Sequence, residues 1–137
     1  MKAVTNEWLD HAWRDLEAAT RLVTTEYLTG IAVFHAQQAV EKSLKAIIEE
    51  FEIGHIKTHD LQRLHAMTKS WLDLDQTSLD ILNTVYIDAR YPAELGLLPD
   101  GLPSTPEANE LLRFAEETYT CVRDILERYG QGEDSGK

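Results

Sequence analysis

Phe34-His35-Ala36-Gln37-Gln38-Ala39-Val40-Glu41-Lys42-Ser43-Leu44-Lys45-Ala46 sets two adjacent amides and two lysines inside an otherwise strongly apolar segment. Val33, Val40, Leu44, Ile47 and Phe51 recur there at helical spacing, which predicts one long helix from about Thr29 to Glu52. At 1.5 Å per residue such a helix is about 35 Å long. A helix that only filled a core would need neither the amides nor the lysines. The stretch therefore decides the fold class and also marks where function is to be sought.

Upstream, Leu9, Ala12, Leu16, Ala19 and Val23 form one face of a first helix over about Thr5 to Glu26, with Glu7, Asp10, Arg14 and Arg21 outside it. Thr29 and Gly30 mark a turn and a new start, so the two long helices are expected to pack as an antiparallel hairpin. Downstream, Ile53 to Lys57 reads as a connector and Thr58 as the N-cap of a short third helix reaching about Trp71, with Leu61, Leu64 and Met67 or Thr68 inward. A fourth helix is expected from about Thr77 to Arg90, with Leu79, Leu82, Val85, Tyr86 and Ala89 on one side, stopped by Pro92. Pro92 to Pro106 holds all four prolines of the chain with Gly96 and Gly101 and reads as a structured surface loop.

The last helix is predicted with Thr105 as N-cap, Pro106 at its first position and Glu107 near the positive end of the dipole. Leu111, Ala115, Thr118, Tyr119, Val122, Ile125, Leu126 and Tyr129 continue its inner stripe. The result is an all-α, up-and-down bundle of about five helices around a four-helix core. Residues 1–129 are expected to form a single domain and Gly130 to Lys137 a flexible, frayed tail.

The 137 residues, 43% of them hydrophobic, are enough for one core, and a second domain is not expected. The segment Met1 to Asp10 lacks a basic, then apolar, secretory leader, and no apolar run is long enough to cross a bilayer, so a cytoplasmic protein without membrane contact is expected. Cys121 has no second cysteine to pair with, and its neighbours Val122 and Ile125 suggest a packed thiol. A net charge of −11 disfavours general DNA binding, which rests on Lys and Arg neutralising phosphates. A local positive pocket is still open to Lys42, Lys45, Lys57, Arg63 and Arg90; solvated pairing with Glu41, Glu49 and Asp60 explains the same residues equally well.

Gln37 and Gln38 adjoin Val40 and Glu41, so at least one amide faces the bundle or a partner and must be hydrogen-bonded, either as a clamp between helices or as a ligand contact. Glu41 and Lys45 stand in the favourable i, i+4 order, while Lys42 and Lys45 lie i, i+3 on one face and offer either a salt-bridged surface or two point charges for a phosphate. His59, after Thr58, reads either as helix-start chemistry with Asp60 or as a functional imidazole. His55, His59 and His65 match no compact ligand spacing, and no metal or cofactor is expected. Arg90, beside Tyr91 and Pro92, is a planar permanent cation suited to a phosphate or carboxylate, or to capping the last carbonyls of its helix.

Taken together, the Phe34 to Ala46 stretch, Thr58-His59-Asp60-Leu61 and Arg90-Tyr91-Pro92 resemble the HEPN domain, a helical family associated with nucleotides and RNA. The resemblance runs from about Trp8 to Leu126. It implies a homodimer that binds a nucleotide, with ATP as one candidate, or RNA, or a partner minimal nucleotidyltransferase in a toxin and antitoxin pair. The ligand-side residues it implies are Arg90, Tyr91, His59, Lys42, Lys45 and Gln38. The ribonuclease branch couples an arginine to a histidine about four to six residues later, whereas here no histidine follows His65. Strong catalysis is therefore not expected. The alternatives are a metal-independent ribonuclease using Arg90 with His59 or Tyr91, and a non-catalytic dimerisation module.

Overall fold

The computed structural model describes residues 1–54, 57–87 and 101–130. Its regular elements are helices: α1 (Ala3–Leu22), a 3₁₀ turn (Glu26–Leu28), α2 (Thr29–Glu50), α3 (Leu61–Thr68), α4 (Gln76–Ile87) and α5 (Thr105–Tyr129). α2 is the hub, packed on every other helix, and its most extensive contact is with α1. Asp15 meets His35 and Lys42, while Lys2 and Thr5 meet Glu50, so the two helices run antiparallel. The expected all-α bundle is the observed one.

The inner stripes are those the spacing predicts. Leu9, Ala12, Leu16, Ala19 and Val23 of the first segment, Val33, Val40, Leu44 and Ile47 of α2, and Leu61, Leu64, Leu79, Leu82 and Val85 are buried together with Leu111, Ala115, Val122 and Leu126 of α5. Phe51 stacks on Trp71 with ring centroids 4.0 Å apart and planes 8° from parallel. Two residues depart from expectation. Tyr129 is 59% exposed and meets only the edge of this cluster, near Trp71, because α5 outruns the core there. Cys121 is exposed, not packed, since its position on α5 faces away from the Val122 and Ile125 stripe. Partial burial, and then the Asp124 carboxylate, push its thiol up, which disfavours the thiolate form.

Helix ends differ from the sequence reading by a few residues, each for a local reason. α1 stops at Leu22 and a 3₁₀ turn follows, in place of one helix to Glu26. α2 stops at Glu50 because Glu52 takes φ of 52°, a left-handed geometry that no continuing helix can hold. Asp60, not Thr58, caps α3: its carboxylate accepts from the amides of Gln62 and Arg63, while the Thr58 hydroxyl accepts from the Asp60 amide. Ser104, not Thr105, caps α5, in a reciprocal box with Glu107. α4 begins one residue early, at Gln76, with Asp75 accepting from the amide and hydroxyl of Ser78.

Side chains distant in sequence then tie the helices together. Glu50, fully buried near the end of α2, accepts from the Lys2 amide at 2.9 Å and the Thr5 hydroxyl at 2.8 Å, capping α1 from outside it. The Thr29 hydroxyl donates to the Pro103 carbonyl at 2.7 Å and so joins the starts of α2 and α5. Asn83 accepts from the Leu61 amide and donates to Asp60, fixing α3 on α4. His65, buried in α3, accepts from the Leu74 amide through Nε2 and pins the α3–α4 link. No helix among the described residues is long and apolar enough to cross a membrane.

Candidate functional site

The quoted stretch lies on α2, where the packing splits its charges into two clusters. In the first, Asp15 of α1 is buried between His35, whose Nδ1 is 2.9 Å away, and Lys42, whose Nζ donates at 2.7 Å. Burial disfavours the Asp15 anion, but the hydrogen bonds and charges of His35 and Lys42 outweigh it and hold the carboxyl below the usual carboxylate range.

The second cluster centres on Glu41, which is 3% exposed. Lys45 donates to its Oε2 at 2.9 Å and His59 Nδ1 lies 2.9 Å from the same oxygen. Gln37 donates to Oε1 at 3.3 Å, and Gln38 in turn donates to the Gln37 carbonyl at 2.6 Å. A buried carboxylate must be paired and hydrogen-bonded, and here the three nearest partners come from one helix and the connector after it. The Lys45 ammonium also lies 5.4 Å from the centre of the Trp8 ring, in cation–π range.

His59, half exposed, and Lys45 open onto a cavity of about 390 Å³ lined also by Trp8, Ile48, Glu49, Gly54 and Lys57. Lys57 is exposed and forms no ion pair among the described residues. The indole Nε1 of Trp8 is buried without a hydrogen-bond partner there.

Of the residues the sequence singles out, the fold brings Gln38, Lys45 and His59 into one network and sends Lys42 into the other. The two lysines expected to act on one phosphate answer to two different carboxylates. Arg90, Tyr91 and His55 lie outside the described residues. Trp8, Asp15 and His35 were not picked out as site residues. Which α2 residues Trp8 and Asp15 would face follows only from the packing of the two helices. No group of three metal-ligating side chains occurs among the described residues.

An antiparallel two-helix hub carrying buried carboxylates with paired cations, closed by three further helices, defines a class of small helical domains. The HEPN domain model matches residues 5–125, and the chain belongs to that family. It is also similar to the crystal structure of an archaeal HEPN homologue, at 25% identity and a TM-score of 0.65 over 91% of this chain and 99% of that one. No curated protein matches the chain.

Proposed function

We propose that this HEPN domain binds a nucleotide in the cavity beside Trp8, with its phosphates on Lys45, Lys57 and His59. Cavities of about 300 to 1,000 Å³ are the size that takes small ligands. The observation that carries the reading is the convergence of these three side chains on one concave site of a strongly acidic protein. Buried Glu41 orients two of them, so their geometry is fixed before a ligand arrives, which lowers the cost of binding. Glu49, in the same lining, suits hydrogen bonds from sugar hydroxyls or an exocyclic amine. Lys42 belongs in this reading to the frame between α1 and α2, and Gln38 to the support of Glu41. Arg90 and Tyr91 remain candidates for the phosphate side.

The reading is one of binding without cleavage, because the histidine that the ribonuclease branch needs after its arginine has no counterpart after His65. A partner nucleotidyltransferase would meet the acidic outer surface and not this cavity.

Calorimetric titration of the full chain with ATP and the other nucleoside triphosphates tests the proposal. Saturable binding is expected, weakened about tenfold, or roughly 1.4 kcal/mol, in Lys57→Gln. Lys57 is exposed, so this variant leaves the bundle intact. Titrations that stay flat at millimolar ligand, or that Lys57→Gln leaves unchanged, contradict it.

A further inference from the structure

A second cavity, of about 410 Å³, lies on another face of α1, between that helix and α5. Trp13, Glu17 and Arg21 of α1 line it together with Glu116 and Tyr119 of α5. Trp13 is 50% exposed, and its ring leans on that of Tyr119 at a centroid distance of 5.7 Å and an angle of 43°. A large apolar side chain left half in water, held at a tilt against a neighbouring ring, is a platform that the fold itself does not use up.

Among the described residues, the charges farther along α5 are paired and those lining the groove are not. On α5, Arg123 pairs with Glu127 and Arg128 with Asp124, each within the helix. Arg123 also donates to the Tyr119 hydroxyl, which holds that phenol in place. Glu17 and Glu116 form no ion pair among the described residues, nor does Arg21. Two unpaired carboxylates beside a supported indole select a planar cation: the ring attracts it face on, and the carboxylates accept its N–H groups. Arginine fits that description better than lysine, whose compact and strongly hydrated ammonium gains less from stacking. The net charge of −11 draws such a partner in from a distance.

We infer that the α1–α5 groove is a docking site for an arginine side chain presented by a basic segment of a partner protein, stacked on Trp13 and hydrogen-bonded to Glu17 and Glu116. Arg21, in the same groove, competes with the incoming guanidinium and limits its affinity. The site is separate from the nucleotide cavity and does not depend on it.

The test titrates the full chain with an acetylated peptide of alternating arginine and glycine, and with the same peptide carrying the neutral isostere citrulline. The arginine peptide is expected to bind at least tenfold more tightly than the citrulline peptide, at low salt, and to move the Trp13 indole resonance. Trp13→Ala and Glu116→Gln should each weaken it several-fold, and Arg21→Gln should tighten it. Glu7→Gln, which removes an acidic group outside the groove, should change little. Equal binding of the two peptides overturns the inference, as does equal loss in Glu7→Gln and Glu116→Gln, which would mean diffuse attraction. Self-association of the chain that disappears in Trp13→Ala would assign the groove to a second copy and would overturn it as well. If Trp13→Ala fails to fold, the Glu116→Gln and Glu7→Gln pair decides.

Discussion

Glu41 and Asp15 face the same difficulty, a carboxylate taken out of water, and meet it in the same way, with one lysine and one histidine each. Removing one partner of a buried pair leaves the other charge uncompensated, and the cost is typically about 3–5 kcal/mol. Glu41→Gln is therefore expected to destabilise the domain by about that much in urea unfolding, because it strands Lys45 beside Trp8. Asp15 adds a pH dependence. Its pKa is lowered by folding, so its contribution is complete above the unfolded-state value of about 4 and is lost as pH falls through the lower, folded-state value. Asp15→Asn should therefore be less stable than the parent at pH 7, with the gap narrowing below about pH 4, as thermal unfolding across that range would record. At this scale the sequence was informative about residue types more than partnerships. The Glu41–Lys45 pair was legible because four residues separate its members, whereas Glu41–His59 spans eighteen and Asp15–His35 twenty, distances that only the packed hairpin closes.

The ends of the helices carry as much information as their faces. Ser104 accepts from the Glu107 amide and its own amide donates to the Glu107 carboxylate at 2.8 Å, which holds that carboxyl below its ordinary range. Ser104→Ala is expected to cost about 1 kcal/mol, measured by denaturant midpoint. Thr105→Ala should cost much less, since Thr105 lies inside the helix and caps nothing. At the opposite end of α5, a Cβ on Gly130 would run into the Leu126 carbonyl and come within 3.0 Å of Glu50 Oε2, the carboxylate that caps α1. Gly130→Ala should thus loosen the first turn of α1 as well as the end of α5, seen as faster amide exchange around Thr5. The faces of these helices followed from apolar spacing, which is why the buried stripes were legible almost residue by residue. The caps were missed by one or two positions, because Thr58 and Asp60, or Ser104 and Thr105, are all cap-forming residue types and only the local backbone decides which of them caps. Glu50 was unreadable as a cap, since it lies forty-eight residues from the amide it serves.

Taken whole, the molecule is an acidic HEPN bundle that presents two separate concave sites, one rimmed by cations beside Trp8 and one built on Trp13 with carboxylates. They are separate because α1 places Trp8 beside the end of α2 and Trp13 beside α5. That division was beyond the sequence, where Trp8 and Trp13 are five residues apart with nothing to separate them. It also makes the account easy to test, because the chain has three tryptophans, Trp8, Trp13 and Trp71, and so three indole N–H resonances. The most direct measurement follows those three resonances while ATP is titrated into the full chain. The Trp8 indole is expected to shift and saturate with ATP while the Trp13 indole stays in place. Saturation that moves Trp13 and leaves Trp8 still would place the nucleotide elsewhere and contradict the central claim, and so would three resonances that never move.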